Sequence, residues 1–255
     1  MTPTYNTKPV TGPARSRRFG LSLNINFGTP GHSCGWNCVY CPWRMPESAG
    51  KPAEKPPTPT EAILTALRAK LEEHPEVETV IFGGNTEPTT HPGFSKIADE
   101  ALRLRKELKG AWALICLSNG SGLEQASAHH ACNRLDQTWV KLDCAEDVLF
   151  QKANKPDSKA TKSIAAYTEN LKKLRELRLQ TTLWRYPDKT GFQNWSAENL
   201  RELLEAYRQL EPSAVHLVTV KKQRVYEGVQ PVSYDEMEAF ALRVAELGIS
   251  VEVFA

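Results

Sequence analysis

Short apolar runs alternate with amphipathic helical patterns along most of the chain, and this alternation limits the fold more than any other feature. The runs have the length of strands, and several are apolar on both faces, as buried parallel strands are. Parallel strands joined by helices form repeated βα units in one sheet. Strands are predicted at residues 22–27, 79–82, 113–117, 138–142, 181–184, 214–220 and 249–254.

Six βα units followed by one short strand are too few to close an eight-stranded barrel. We therefore predict an α/β fold: a partial (β/α)6 TIM-type barrel, open on one side, with a short extra C-terminal strand. Helix signals accompany the strands. Thr58-Pro59-Thr60-Glu61 and Ser233-Tyr234-Asp235-Glu236 both carry the pattern of a capping box, the first with a proline at the first helical position. Leucines at helical spacing between Leu171 and Leu179 predict a further helix with a basic, solvated face.

Length and composition are those of an ordinary globular protein. With 255 residues, of which 40% are hydrophobic and 24% charged, we expect a single domain over residues 1–255, with residues 1–14 as an N-terminal arm. No stretch approaches the roughly 20 apolar residues that cross a bilayer, and no secretory signal is recognised, so a cytoplasmic protein without membrane contact is expected. The net charge of +2 decides little about partners, since a nucleic-acid binder would more often be strongly basic. Arg15, Arg17 and Arg18 form either a local basic patch or a solvated arm.

Three cysteines stand in one short segment, Cys34-Gly35-Trp36-Asn37-Cys38-Val39-Tyr40-Cys41. Four thiolates would close a structural zinc site or an electron-transfer cluster, whereas three leave one coordination position open for a ligand. A structural zinc site with His32 as the fourth ligand is the alternative. Cys116, Cys132 and Cys144 stand singly and far apart, which argues against a disulfide framework.

Polar residues follow the second, third and fourth predicted strands, at the strand ends where parallel barrels carry their chemistry. They are Gly83-Gly84-Asn85-Thr86-Glu87-Pro88-Thr89, Ser118-Asn119-Gly120, and Asp143 with Cys144. Period-two alternation places Lys141 and Asp143 on one side of their strand, facing the interior, either as a ligand-binding pair or as a structural ion pair. Cys144 is a candidate catalytic residue or a small core residue. His216 is predicted to be a core histidine.

The cysteine spacing, with the aromatic Tyr40 before the last cysteine, resembles the signature of the radical SAM superfamily. The loop at residues 83–89 is similar to the family's G-N-G-E-P-T motif, with Thr86 where the family has its last glycine. Asn154, in Ala153-Asn154-Lys155-Pro156, resembles the family's Asn-x-Pro element. The stretch from Gly12 to Leu23 resembles the opening of a subgroup near the wyosine-type, tRNA-modifying iron–sulfur oxidoreductases.

This resemblance implies that Cys34, Cys38 and Cys41 ligate a 4Fe-4S cluster, whose remaining iron binds S-adenosyl-L-methionine (SAM). It implies reductive cleavage of SAM to a 5′-deoxyadenosyl radical, which abstracts hydrogen from a substrate, and an electron donor such as a flavodoxin or ferredoxin. The SAM contacts expected from the motifs and strand ends are Tyr40, Gly84, Asn85, Thr86, Glu87, Ser118, Asn119, Lys141, Asp143 and Asn154.

Two questions stay open at this point. The substrate is a tRNA base, a peptide or protein, or a small metabolite. Four aromatic and basic residues, Trp36, Trp43, Arg44 and Arg185, suit contact with RNA or a place in the core and at a solvated edge equally well. The run Trp184-Arg185-Tyr186 is a candidate substrate-facing rim, with packing favoured for Trp184. The alternative to an enzyme is a non-catalytic scaffold or regulatory module stabilised by zinc or by a cluster.

Overall fold

The structure is a computed structural model that describes residues 8–29, 34–42, 55–156, 163–187, 192–221 and 228–255. His32, Trp43 and Arg44 lie outside the described residues. The chain divides into two compact units, one formed by Met1–Cys34 and Met45–Thr138, the other by Gly35–Arg44 and Trp139–Ala255. The single domain expected over residues 1–255 stays a prediction.

The first unit contains a sheet with the strand order β1-β2-β3-β4. Its strands are β1 (Val10–Ser16), β2 (Gly20–Ile25), β3 (Thr79–Phe82) and β4 (Ala113–Ser118). Strands β2, β3 and β4 run parallel, as predicted, whereas β1 pairs with β2 in an antiparallel hairpin. Residues 10–14 of the expected N-terminal arm are therefore part of a strand. The apolar-run criterion misses β1 because Gly12, Pro13 and Arg15 interrupt it.

Helices α1 (Thr60–Glu73), α2 (Phe94–Glu107) and α3 (Ala126–Cys132) belong to the same unit. Helix α1 buries Ile63, Leu67 and Leu71, the positions that share one face at helical spacing. The capping box predicted at its start is wrong, because the N-cap is Pro59 and no side chain caps the helix. Thr58 lies outside the helix, with its N–H donated to the Phe27 carbonyl at 2.9 Å.

The second unit contains the parallel strand order β5-β6-β7-β9. The strands are β5 (Gln137–Lys141), β6 (Arg178–Arg185), β7 (Ala214–Thr219), β8 (Gln230–Pro231) and β9 (Ser250–Phe254). The division between the two units falls within β5, after Thr138. The two-residue strand β8 pairs antiparallel with β6. The predicted α/β class, with its parallel strands and short extra C-terminal strand, is confirmed.

Four helices accompany these strands: α4 (Asp147–Ala153), α5 (Ile164–Leu171), α6 (Ala197–Leu210) and α7 (Tyr234–Ala245). The capping box of Ser233 and Glu236 at the start of α7 is confirmed. The helix predicted over residues 171–179 is wrong, because α5 ends at Leu171 and β6 begins at Arg178. The leucines of this stretch are buried, but a turn and a strand bury them rather than a helix face. Across the described parts of both units, every helix is too short or too polar to cross a bilayer.

Candidate functional site

In the first unit, the loops that follow β3 and β4 meet at the carboxylate of Glu87, which is only 3% exposed. Its Oε1 accepts hydrogen bonds from the Thr89 N–H at 3.0 Å, the Thr89 hydroxyl at 2.5 Å and the Ser118 hydroxyl at 2.6 Å. Its Oε2 accepts one from the Asn119 N–H at 2.6 Å. Glu87 therefore joins the two strand ends that the sequence marks as polar.

Burial raises the pKa of Glu87 above its ordinary value, and the four hydrogen bonds act in the opposite direction. A carboxylate has about four acceptor sites on two oxygens. Among the described residues, Oε1 accepts three bonds and Oε2 accepts one, so the remaining acceptor capacity of Glu87 lies on Oε2.

Glycine is required at two places in these loops. Gly84 has φ +118°, and a Cβ there would lie 2.6 Å from Asn26 Oδ1. A Cβ on Gly122 would lie 2.4 Å from the Thr89 carbonyl oxygen. The loops that follow β3 and β4 therefore pack so closely here that there is no space for a side chain. The side chain of Asn85 bonds both the N–H and the carbonyl of Gly28, which holds the glycine loop against the segment after β2.

Asn119 links this loop pair to the first motif cysteine. Its Nδ2 lies 3.3 Å from Cys34 Sγ, and its Oδ1 accepts the Ser121 N–H at 2.9 Å. The Thr86 hydroxyl, in the glycine loop, is buried without a hydrogen-bond partner among the described residues.

In the second unit, the carboxylate of Asp143 connects the residues predicted to form the site. It is 2% exposed, and its Oδ1 accepts the Thr182 N–H at 2.7 Å. Its Oδ2 accepts the Tyr40 hydroxyl and, at 3.0 Å, Asn154 Nδ2. Lys141 Nζ donates to the Tyr40 hydroxyl at 2.9 Å and lies 3.9 Å from Asp143 Oδ2, so Lys141 and Asp143 share one side as the period-two pattern predicts.

Burial and the adjacent Asp143 carboxylate raise the pKa of Tyr40 well above its ordinary value, which keeps the phenol neutral. The hydroxyl donates to Asp143 and accepts from Lys141, and the Lys141 ammonium lies 4.9 Å from the Tyr40 ring centroid. The arrangement holds Tyr40 in one position beside Cys41.

Asn154 ends helix α4 and is fully buried. Its Nδ2 lies 3.4 Å from Cys38 Sγ, and its Oδ1 has no hydrogen-bond partner among the described residues. Burial raises the pKa of Cys38 to about 12, so this sulfur is a neutral thiol when nothing is bound to it.

The backbone of the cysteine segment is held by the end of α4. The Asn37 N–H donates to the Asn154 carbonyl at 3.1 Å, and the Val39 N–H donates to the Ala153 carbonyl at 2.8 Å. A β-bridge pairs Trp36 with Pro156. The segment is thus positioned by contacts that are independent of any metal.

Two buried asparagines that no sequence motif marks also belong to this site. Asn194 Nδ2 and Asn199 Nδ2 donate to the Asp143 carbonyl at 2.9 and 3.2 Å. Asn194 also bonds the Thr182 carbonyl and the Trp184 N–H, so it joins the ends of β5 and β6. No local pattern distinguishes either residue from an ordinary loop or helix asparagine.

Other predicted candidates are engaged in packing or ion pairs. Trp36 is buried, with its ring centroid 5.3 Å from that of Phe150, and Arg185 forms an ion pair with Glu236. Cys144 is fully buried, and burial raises its pKa well above the ordinary value, which are the features of a core thiol. Its role in catalysis stays a prediction.

Two further residues singled out in the sequence are buried. His216 stacks on Trp139 at a centroid separation of 3.4 Å and is buried, as expected of a core histidine. Trp184 is fully buried between the rings of Tyr40 and Phe192, which supports packing rather than a substrate-facing role.

Within the part of the chain that the structure describes, no three His, Cys, Asp or Glu side chains are grouped as metal ligands would be. The donor set of the cysteine segment nevertheless fits an iron–sulfur cluster, because all three motif residues are thiols. Amide N–H groups lie at hydrogen-bond distance from Cys34 Sγ and Cys38 Sγ, as they do around cluster sulfurs. The motif thiols could therefore hold a cluster.

No protein-family model matches the chain. Among curated proteins it is 25% identical over 249 residues to a UPF0026 protein of Helicobacter pylori (strain ATCC 700392 / 26695), covering 96% of this chain and 77% of the relative.

Two solved structures are similar over 91% of the chain. One is a radical SAM methyltransferase from Sphaerobacter thermophilus, with a TM-score of 0.64 and 15% identity, of which the chain spans 65%. The other is Streptococcus suis SuiB bound to S-adenosylmethionine, with a TM-score of 0.59 and 13% identity, of which the chain spans 51%. At this level of identity the likeness shows the fold, and the partial barrel predicted from the sequence is confirmed.

Proposed function

We propose that this chain, which has the fold of the radical SAM enzymes, is itself a radical SAM enzyme. In this proposal Cys34, Cys38 and Cys41 hold a 4Fe-4S cluster. The observation that carries it is that two of these three sulfurs each lie at an amide donor, Asn119 for Cys34 and Asn154 for Cys38. Both asparagines come from the polar segments that the sequence associates with the site.

When bound, the reduced cluster supplies the electron that cleaves SAM to methionine and a 5′-deoxyadenosyl radical, which takes hydrogen from the substrate. The protein contributes positioning and electrostatics. Glu87 Oε2, which accepts one hydrogen bond in the structure, retains capacity for the amino group of SAM. The hydrogen bonds of its hydroxyl to Asp143 and Lys141 hold the Tyr40 side chain in one position next to Cys41.

The other residues predicted to contact SAM remain part of the proposal, some as positioning residues and some as part of the glycine loop. The side chains of Asn85, Ser118 and Asp143 are already bonded within the protein, so we assign them the positioning of loops and neighbouring side chains. Gly84 and Thr86 contribute through the glycine loop. Thr86 brings a buried hydroxyl that a bound ligand can satisfy.

The electron donor in this proposal is a flavodoxin or ferredoxin, and the protein works in the cytoplasm. The substrate is a peptide or protein, a small metabolite or a tRNA base. Of the residues considered for contact with RNA, Trp36 is buried and Arg185 is paired with Glu236, so neither favours the tRNA base.

The test is anaerobic reconstitution with iron and sulfide, followed by reduction with SAM and chromatographic detection of 5′-deoxyadenosine. We expect a brown protein that forms 5′-deoxyadenosine, and loss of both properties in Cys34→Ala, Cys38→Ala and Cys41→Ala. Cys132→Ala, a buried cysteine outside the motif, is the matched control and should keep both. Unchanged iron content and SAM cleavage in Cys38→Ala would contradict the proposal. A colourless protein that retains zinc would instead favour the scaffold.

A further inference from the structure

We propose that Asn119 and Asn154 are positioning residues that hold an amide N–H on the sulfur atoms of Cys34 and Cys38 and thereby raise the reduction potential of the cluster. This inference rests on the proposed function, because it concerns the cluster that the motif cysteines would carry. It assigns both asparagines to the cysteine sulfurs rather than to SAM.

The orientation of the Asn119 amide is determined by its second contact. Asn119 Oδ1 accepts the Ser121 N–H at 2.9 Å, and only the oxygen of the amide can accept that bond. The NH2 group is therefore directed away from the Ser121 N–H, and it lies 3.3 Å from Cys34 Sγ. The residue is buried, so water competes little for this donor.

The Asn154 amide is oriented by Asp143 in the same way. Asp143 Oδ2 accepts a hydrogen bond from Asn154 Nδ2 at 3.0 Å, and only the nitrogen of an amide can donate, so the nitrogen faces the carboxyl group. The second hydrogen of the same NH2 group remains for Cys38 Sγ at 3.4 Å. Because Asp143 also accepts the Thr182 N–H, it is fixed to the end of β6 and cannot turn away.

Two independent contacts, one in each unit, thus place the same chemical group on two different motif sulfurs. A hydrogen bond to a cluster sulfur stabilises the negative charge that the cluster gains on reduction, and such bonds are among the factors that set its potential. The effect is strengthened by burial, where the effective dielectric constant is low. Removing either donor should therefore make the cluster harder to reduce.

The experiment is a redox titration of the reconstituted protein, followed by EPR of the reduced cluster, with Asn119→Ser, Asn154→Ser and the double variant. Serine at position 119 keeps an oxygen that can accept the Ser121 N–H but is too short to reach Cys34 Sγ. Asn133→Ser is the matched control, since the side-chain amide of Asn133 bonds His129 on helix α3, outside the cysteine segment. Its potential should equal that of the wild type.

At a fixed solution potential, we expect each single variant to lower the ratio of reduced to oxidised cluster about threefold. At 59 mV per tenfold change for one electron, this corresponds to a reduction potential lower by about 28 mV. The double variant should lower it about ninefold, since the two contacts share no atoms. In pulsed EPR with 15N-asparagine labelling, the coupling of asparagine nitrogen to the reduced cluster should weaken in each single variant.

A cluster that loads normally but keeps its potential and its 15N coupling in Asn119→Ser would overturn the inference while leaving the proposed function intact. If Asn154→Ser fails to fold, because Asn154 is fully buried, the Asn119→Ser result alone decides. A wild-type protein that takes up no 4Fe-4S cluster would overturn the proposed function, and the inference with it.

Discussion

Replacing Glu87 by glutamine tests whether this carboxylate organises the first unit before any ligand binds. Glutamine has nearly the same shape, but one carboxylate oxygen becomes an NH2 group. At the Oε2 position this group would face the Asn119 N–H, donor against donor. At the Oε1 position it would face three donors, so the first orientation is the less costly one.

The expected cost follows from these contacts. Losing one hydrogen bond to a charged group costs about 1.5 to 3 kcal/mol, and leaving a buried donor unpaired costs about 1 to 3 kcal/mol. Removing a charge from a buried site offsets part of this sum. We therefore expect Glu87→Gln to lower the free energy of unfolding of the metal-free protein by about 3 kcal/mol.

The assay is equilibrium unfolding in urea, followed by circular dichroism and tryptophan fluorescence. The matched control is Glu61→Gln, which removes an exposed ion pair with Lys96 and should cost less than about 1 kcal/mol. A cost for Glu87→Gln no larger than that of Glu61→Gln would refute the structural role that we assign to Glu87.

The pH dependence provides a second check on Glu87. Burial raises its pKa above the ordinary 4.5, so the folded state binds this proton more tightly than the unfolded state does. The resulting stabilisation is complete below the unfolded pKa and is lost as the pH rises through the folded pKa. The stability difference between the wild type and Glu87→Gln should therefore narrow as the pH is raised from acid to neutral.

Two further substitutions test other parts of the structure. Gly122→Ala should lower the free energy of unfolding by about 2 kcal/mol or more, because the new Cβ would lie 2.4 Å from the Thr89 carbonyl oxygen. Gly248→Ala is the control: its Cβ meets no atom within 4 Å, but φ is +77°, so it should cost only about 1 kcal/mol. Urea unfolding that ranks the two costs in the reverse order would contradict the loop contact. The Arg185 and Ser233 hydrogen bonds lower the pKa of Glu236 to about 2, so its stabilisation is present above the unfolded pKa and is lost as the pH falls toward 2. Glu236→Gln should remove this part of the acid sensitivity, measured by thermal unfolding between pH 7 and pH 2. The cost should stay below about 1 kcal/mol, because the pair is partly exposed and solvent screens it. An unchanged slope of stability against pH in acid would show that the ion pair is not formed in solution.

Features that depend on local periodicity could be predicted from the sequence. Lys141 and Asp143 lie on one side of the chain because side chains alternate along a strand, whatever surrounds it. Strands β3 and β4 could be located because a buried parallel strand must be apolar on both faces. Ser233 and Glu236 could be predicted because their partners lie within one turn.

Features that depend on distant partners could not be predicted. Asn194 and Asn199 belong to the site only because the Asp143 carbonyl lies opposite them, more than fifty positions earlier in the chain. The amide of Asn154 could be associated with the site from its motif, but its contact with Cys38 required the packing of α4 against the cysteine segment. The leucines after Leu171 have helical spacing, but a turn and a strand bury their side chains as completely as a helix would. Spacing alone therefore could not distinguish these structures.

The dependence of the cysteine segment on the end of α4 has a consequence for how the protein is made. Asn154 follows Cys38 by 116 positions, so a ribosome that adds about 5 to 20 residues per second needs roughly 6 to 23 s to synthesise this holding segment after the cysteine. Throughout that interval the motif thiols belong to an unfinished chain without the backbone partners that later position them. A metal ion that met these thiols during that interval would find ligands without fixed geometry, and such a site generally binds Zn²⁺ more tightly than Fe²⁺. For the cluster proposed above, a fully positioned cysteine segment exists only after synthesis has passed residue 156, where Pro156 completes the bridge to Trp36.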